Sequence, residues 1–140
     1  MDKKIKIALL VVIIIAIAAI AYGGISANEP SSKKTLNATN NLTEAMEIAS
    51  EQDKDVFLVF TSDTCQWCNK LNKETLSDEK VMSRLDKEYV TAIVNIDEQP
   101  DIARSFNAVA TPVMIFLDNN GTEKERLNGF YGPNELLEYM

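Results

Sequence analysis

The chain has 140 residues with 21 acidic and 14 basic side chains, a net charge of −7, and no histidine. The length fits one domain with a short appendage, and the acidic balance disfavours binding to nucleic acid or to anionic lipid headgroups. The lack of histidine excludes the Ser-His and Cys-His arrangements of hydrolases. The sequence also lacks a glycine-rich phosphate loop, and neither a cofactor nor a metal ion is expected.

The first 27 residues have the pattern of a membrane anchor. Three lysines, at positions 3, 4 and 6, precede an uncharged segment at residues 7–27, and about 20 such residues suffice to cross a bilayer. The lysines should stay in the cytoplasm, which places the rest of the chain outside. The alternative is a signal peptide, with Ile25-Ser26-Ala27 as an imperfect cleavage site. Both interpretations export the domain to a compartment where disulfides persist.

Residues 28–40 and 41–140 differ in composition. The first stretch contains Pro30 and many Ser, Lys, Asn and Thr residues, which is typical of a flexible linker. The second alternates helical and β-type patterns and is expected to form the globular domain. Residues 28–140 carry 20 acidic and 11 basic side chains, and because these charges are scattered they favour solubility over a single binding patch.

Hydrophobic periodicity predicts the order α-β-α-β-α-β-β-α for the domain. The strands are expected at Val56–Phe60, Val90–Ile96, Val113–Leu117 and Thr122–Asn128. The helices are expected to begin after Asn41, near Cys65, after Ser77, near Ile102 and at Pro133. Residues 118–121 predict a hairpin between the last two strands. This order favours parallel strands joined by helices, a hairpin at one edge, and helices on both faces of the sheet.

Two of the helix starts carry N-cap patterns. Asn41 precedes an apolar helical stripe, and Glu44 three residues later resembles the second half of a capping box. Ser77 precedes another stripe, with Asp78 and Glu79 expected in the first helical turn. Asn41 and Ser77 are therefore the predicted caps.

The only two cysteines, Cys65 and Cys68, follow the apolar run Val56–Phe60 after a short polar link. Because a helix is expected to begin near Cys65, unpaired backbone N–H groups and the helix dipole should favour a thiolate there. A thiolate, not a thiol, attacks disulfides. The spacing also allows the second cysteine to form a disulfide with the first, so the pattern indicates thiol–disulfide exchange.

The cysteine pair has three other interpretations, none of which involves thiol–disulfide exchange. A structural zinc site needs about four ligands, and two cysteines without histidine would require carboxylates or a second chain. A purely structural disulfide would close too short a ring to constrain the unfolded chain much. Two inert buried thiols are the third interpretation, which the polar residues around the pair disfavour.

The domain resembles thioredoxin and, within that superfamily, the exported thioredoxin-related domains such as the C-terminal domain of the bacterial disulfide-interchange protein. The resemblance covers residues 40–140. It rests on the strand that ends at Phe60, Cys65-Gln66-Trp67-Cys68, Asn95-Ile96-Asp97, Val109-Ala110-Thr111-Pro112 and Gly129. It implies a thioredoxin-like α/β fold with a central mixed sheet and helices on both faces, in addition to the N-terminal transmembrane helix.

The resemblance also implies roles for individual residues. Cys65 would attack and Cys68 would resolve, Pro112 would be a cis-proline that faces the pair, and the backbone of Thr111 would pair with an extended substrate segment. Trp67 would either contact a partner or pack over the start of the helix. The implied partners are exported proteins with thiols or disulfides, together with a redox partner that the sequence does not identify.

The sequence departs from thioredoxin at positions that bear on proton transfer. Val59 occupies the position of a buried aspartate, and Ile93 that of its lysine partner. Gln66 and Trp67 replace Gly-Pro between the cysteines, so the redox direction cannot be copied from thioredoxin. Without the aspartate, we expect the second thiol to lose its proton slowly.

Two functional classes are compatible with the sequence. The first is an enzyme that exchanges disulfides with exported proteins through Cys65 and Cys68. The second is a redox-silent module that binds extracytoplasmic partners in the groove beside Pro112. Only the enzyme would cycle between two thiols and none.

Overall fold

The structure, a computed structural model, describes residues 35–140. The expected membrane segment, residues 7–27, and most of the expected linker lie outside this range. Among the described residues, no helix is both long enough and apolar enough to cross a bilayer.

Strands and helices alternate along the described chain as the hydrophobic pattern predicts, with two additions. The elements are β1 (Ala38–Thr39), α1 (Leu42–Gln52), β2 (Asp55–Thr61), α2 (Gln66–Lys70), a π-helical segment (Leu71–Thr75), α3 (Glu79–Glu88), β3 (Tyr89–Asn95), α4 (Pro100–Ser105), β4 (Val113–Leu117), β5 (Glu123–Asn128) and α5 (Pro133–Leu137). The additions are β1, which lies in the stretch expected as linker, and the π-helical segment. Neither has the apolar periodicity from which strands and helices are predicted.

The five strands form one mixed sheet in the order β1-β3-β2-β4-β5. β1 and β2 pair with β3 in parallel, whereas β4 runs antiparallel to both β2 and β5. The mixed sheet agrees with the resemblance to thioredoxin. The element order alone favoured a parallel β4. Instead β4 starts at the end of the sheet where β3 ends, since Val113 pairs with Phe60 and Phe60 with Val94. The connection through α4 therefore does not cross back over the sheet, and β4 runs antiparallel.

Two apolar layers cover the sheet, one on each face, as predicted. β2 is buried on both faces, and every residue from Val56 to Phe60 is fully inaccessible to solvent. Val56, Leu58 and Phe60 pack under α1 and α4. Phe57 and Val59 pack under the π-helical segment, α3 and α5. The helix that carries the cysteines is therefore fixed to a strand in the centre of the sheet.

The helix caps agree with the sequence at one start and differ at another. Asn41 caps α1 by accepting hydrogen bonds from the backbone N–H groups of Thr43 and Glu44. The Glu44 carboxylate does not complete a capping box, because it accepts a hydrogen bond from the Thr39 hydroxyl and the Asn41 N–H donates to Thr39 Oγ1. Thr39, which lies in the unpredicted strand β1, therefore bonds the two groups that a capping box would pair with each other.

The prediction of Ser77 as the cap of α3 is wrong. The cap is Asp78, whose carboxylate accepts from the N–H groups of Lys80 and Val81 at 2.9 and 3.2 Å. The Ser77 hydroxyl instead donates to backbone carbonyls of the preceding π-helical segment. Carbonyls at the end of a helix need donors, and the Ser77 hydroxyl supplies one, while that of Thr75 donates to the Tyr131 carbonyl.

Candidate active site

The two cysteines form a disulfide at the start of α2. Cys65 has extended backbone dihedrals, φ −81° and ψ 102°, and occupies the N-cap position of the helix. The Cys68 backbone N–H donates to Cys65 Sγ at 3.0 Å. Cys65 is half-buried, whereas only 7% of Cys68 is exposed. A partner therefore reaches the first sulfur before the second.

A polar network holds the loop between β2 and α2 against the end of β3. The Asp63 N–H donates to Asp97 Oδ2 at 2.9 Å, and Asn95 Nδ2 donates to Asp63 Oδ1 at 2.7 Å. The Asp97 N–H in turn donates to Asn95 Oδ1 at 2.9 Å. Asn95 and Asp97 belong to one of the motifs that carry the resemblance, and this network gives their side chains a local role.

A groove of about 360 Å³ lies beside the disulfide, lined by Trp67, Thr111, Pro112, Gly129 and Phe130. The Thr111–Pro112 peptide bond is cis, as the resemblance implied. The Gly129 N–H donates to the carbonyl of Pro112 at 2.8 Å, which ties the proline to the end of β5. The groove therefore brings together three residues that the sequence analysis selected for substrate binding.

Trp67 both packs against the protein and faces solvent. Its ring centroid lies 5.9 Å from that of Phe130, and 57% of its surface is exposed. Lys70 Nζ lies 5.2 Å from the Trp67 ring centroid and 4.6 Å from that of Phe130, within the range of a cation–π interaction. Trp67 therefore packs against Phe130, in the chain after β5, and leaves more than half of its surface open to solvent.

A second cavity, of about 330 Å³, lies behind the disulfide. It is lined by Val59, Thr61, Ser62, Asp63, Cys68, Asn69, Leu71, Asn72, Leu76, Ile93 and Asn95. Val59 and Ile93 are direct neighbours across β2 and β3, as their alignment with a buried ion pair requires. Asp63 lines the same cavity, and its carboxylate accepts a hydrogen bond from Asn95.

Groups with a perturbed pKa lie at the opposite end of the sheet from the cysteines. Burial, and then the negative charge of Asp55, raise the pKa of Tyr89 above its ordinary value. The hydrogen bond to Asp55 raises the pKa of the Lys124 ammonium. These groups stabilise the hairpin end of the sheet and do not contact the disulfide.

No other site in the described part of the chain rivals the disulfide. A cavity of about 690 Å³ lies between α1, β1 and β3, and no cysteine lines it. Within residues 35–140, no cluster of three or more His, Cys, Asp or Glu residues is placed to hold a metal ion.

Three side chains near the disulfide were not selected from the sequence: Ser62, Lys70 and Phe130. Their positions relative to the motifs were the available signal, since Ser62 lies three residues before Cys65 and Phe130 follows Gly129. Lys70 has the i, i+3 spacing from Trp67 that places two side chains on one face of a helix.

Comparison with known proteins agrees with this geometry. The thioredoxin-like domain family matches residues 42–140. The chain is 27% identical to the thiol:disulfide interchange protein DsbD of Campylobacter jejuni, over 97% of this chain and 27% of that protein. The chain therefore spans about a quarter of the length of this curated relative.

Solved structures agree as well. A thioredoxin from Thermus thermophilus has a TM-score of 0.69 and 29% identity, over 76% of this chain and 85% of that one. The oxidised C-terminal domain of Neisseria meningitidis DsbD has a TM-score of 0.61 and 22% identity, over 76% and 96%, and this likeness concerns the fold. The chain thus belongs to the thioredoxin-like domain family, with Cys65 and Cys68 as its disulfide-bonded cysteine pair.

Proposed function

We propose that the chain is a thiol–disulfide oxidoreductase that acts on exported proteins through the Cys65–Cys68 pair, with its domain held outside the cytoplasm. The observation that carries the proposal is the disulfide itself, which joins a half-buried Cys65 to a buried Cys68 at the edge of an open groove. An inert structural disulfide needs neither an accessible sulfur nor a groove beside it.

The reaction is a pair of thiol–disulfide exchanges. In the reducing direction, the Cys65 thiolate attacks one sulfur of the partner disulfide, a bond forms between them, and the partner's other sulfur leaves as a thiolate. Cys68 then loses its proton and attacks Cys65 Sγ, which closes the Cys65–Cys68 bond and releases the second partner sulfur as a thiolate. The partner gains two electrons and two protons, and the cysteine pair loses both.

The oxidised pair runs the same steps in reverse with a partner dithiol. The relative reduction potentials of the two pairs set the direction. In both directions Cys65 forms the mixed disulfide with the partner, since Cys68 is the less accessible of the two. Cys68 resolves that mixed disulfide in the reducing direction, whereas in the oxidising direction Cys68 leaves as a thiolate and the partner's second thiolate displaces Cys65.

The groove beside the disulfide is the proposed binding site for the substrate segment that flanks the reacting cysteine. Trp67 would supply apolar contact area, since aromatic side chains are enriched at protein interfaces. Pro112 would form the floor of the groove, and the backbone of Thr111 would pair with an extended segment. A redox-silent module would use the same groove without the cysteines.

Thiol titration separates the two functional classes. The full chain is titrated with and without prior treatment by a dithiol reductant, and its reduction potential is measured in glutathione buffers. We expect two thiols after reduction, none after oxidation, and a defined potential that sets the redox direction. A pair that fails to cycle would contradict the enzyme and favour the redox-silent module.

The proposed location rests on the uncharged segment 7–27 and its preceding lysines. Kinship with a thiol:disulfide interchange protein is in keeping with work outside the cytoplasm, where disulfides persist. The full chain should resist carbonate extraction from membranes, and protease added outside intact cells or spheroplasts should digest the domain. Extraction by carbonate would favour a cleaved signal peptide, and protection from the protease would contradict the orientation.

A further inference from the structure

Two loops meet beside Cys65. The cysteine loop, residues 62–65, connects β2 to α2, and the proline loop, residues 109–112, leads into β4. The side chains of Ser62 and Thr111 join the loops, with Oγ and Oγ1 at a hydrogen-bonding distance of 3.1 Å. Both residues are half-buried, so this bond crosses between segments that lie 49 residues apart in the chain.

Each loop is anchored separately on its outer side. The cysteine loop is bound to the end of β3 through the Asp63 N–H and the Asp97 carboxylate. The proline loop is bound to the end of β5 through the Pro112 carbonyl and the Gly129 N–H. These anchors fix each loop to its own strand, whereas the bond between Ser62 and Thr111 links the two loops directly.

We propose that Ser62 and Thr111 are a positioning pair for disulfide exchange with polypeptide substrates. Their hydrogen bond sets the gap between Cys65 and the proline loop, and so the placement of a bound segment relative to the attacking sulfur. This inference rests on the proposed function and on the role of Thr111 in binding. Misplacement by about 1 Å can cost up to ~100-fold in rate, so one bond at this point matters to catalysis.

The effect should depend on the substrate. A polypeptide that lies along the proline loop reacts only if the loop holds it at the correct distance from the Cys65 sulfur. A small disulfide needs only access to the Cys65 sulfur. Loss of the hydrogen bond should therefore reduce exchange with a peptide more than exchange with a small disulfide, whereas a purely structural bond would affect both substrates equally through stability.

The experiment is a double-mutant cycle in the full chain with Ser62→Ala, Thr111→Val and the double variant. The substrates are an extended disulfide-linked peptide with a fluorescent reporter and 5,5′-dithiobis(2-nitrobenzoate), a small aryl disulfide. Each single variant should lower kcat/KM for the peptide about threefold to tenfold, the loss expected for one hydrogen bond. The double variant should lose no more than the larger single loss, because both changes remove the same interaction.

Two further variants complete the design. Ser62→Thr keeps a hydroxyl and should retain most of the peptide activity. Ser105→Ala removes a hydroxyl that donates to the Ile102 carbonyl within α4, outside both loops, and it should leave both substrates unaffected. Thermal unfolding of every variant separates lost positioning from lost stability.

The inference is overturned if the losses in the double variant are additive, or if peptide and small disulfide lose activity equally. It is also overturned if Ser62→Thr is as impaired as Ser62→Ala. Failure of the proposed function gives a different result, since the wild-type chain would then exchange with neither substrate. Either single variant tests the inference if the other does not fold.

Discussion

The front and the rear of the disulfide present two cavities of similar volume and different chemistry. The groove in front, about 360 Å³, is lined by Trp67, Phe130, the proline loop and a glycine. The cavity behind, about 330 Å³, is lined by Cys68 and by a mixture of apolar and polar side chains. The nature of the lining, and not the size, therefore distinguishes what each side can do.

The front suits a polypeptide partner. Trp67 is more than half exposed and is backed by Phe130 and Lys70, so its ring is held in place before a partner arrives. An aromatic ring that is already ordered loses little conformational entropy on binding. The front is thus organised for docking beside the attacking sulfur.

The cavity behind the disulfide is better suited to proton transfer than to binding a partner. Cys68 must lose its proton before it can release a mixed disulfide, and the nearest strand positions, Val59 and Ile93, cannot accept one. Asp63 lies at the same cavity, but its carboxylate accepts a hydrogen bond from Asn95. The proposed recognition groove and the cavity where Cys68 would lose its proton therefore lie on opposite sides of the disulfide, and each can be altered on its own.

The largest expected effect comes from removing the sulfur of Cys65 or that of Cys68 in turn. Cys65→Ala should abolish exchange, whereas Cys68→Ala should accumulate a mixed disulfide between Cys65 and the partner, because the resolving thiol is missing. Non-reducing electrophoresis and mass spectrometry detect the adduct. In the reduced wild type, Cys65 should be alkylated first, and faster alkylation of Cys68 would reverse the assignment of front and rear.

The next largest effect should come from placing a carboxylate in the rear cavity. Val59→Asp should speed release of the mixed disulfide at pH 7, roughly tenfold or more, because general-base assistance is typically worth 10²-fold or more when well placed. Val59→Asn is the matched control, with nearly the same shape and no basic carboxylate. Stopped-flow fluorescence of the single tryptophan, Trp67, measures the step.

Val59 is fully buried, so a carboxylate there should also lower the free energy of unfolding unless it takes up a proton. Denaturant unfolding at pH 5 and pH 8 measures this cost, which should be greater at pH 8. If Val59→Asp folds and releases the partner no faster than Val59→Asn, the rear cavity does not limit proton transfer.

A smaller effect is expected from a substitution in the groove in front of the disulfide. Trp67→Ala should raise KM for a peptide disulfide about tenfold, the loss typical of an important aromatic contact at an interface, with less change for a small disulfide. Tyr139→Ala is the control, since Tyr139 is also an exposed aromatic but does not line the groove. An unchanged KM for Trp67→Ala would remove this ring from the docking site.

The smallest effect is expected from replacing Lys70, whose ammonium lies over the rings of Trp67 and Phe130. Lys70→Met removes a partly exposed cation–π interaction worth ~0.5–1 kcal/mol, so KM should rise about twofold to fivefold and the emission of Trp67 should shift. Lys73→Met, on an exposed lysine further along the chain, is the matched control. If both variants raised KM equally, the loss of a positive charge, and not the orientation of Trp67, would account for the change.

Local pattern determined much of the fold. The fully buried β2, the hairpin before β5, and the start of α5 at Pro133 all follow from short-range periodicity and turn chemistry. The spacing of Cys65 and Cys68 allowed their disulfide to be anticipated, because two residues on one helical turn are close whatever the rest of the chain does. The positions of Val59 and Ile93 followed from the resemblance to thioredoxin.

Tertiary structure alone decided the contacts that surround the disulfide. Ser62 meets Thr111, and Trp67 meets Phe130, across separations of 49 and 63 residues, and no local rule relates such positions. The direction of β4 depended on the end of the sheet at which the chain re-enters it after α4, and the cap of α3 depended on which of Ser77 and Asp78 bonds the first N–H groups of the helix. The sequence by itself determined the chemistry of the cysteine pair and the local elements that carry it, while packing of distant segments decided what the pair faces, because such contacts form only once the sheet has brought them together.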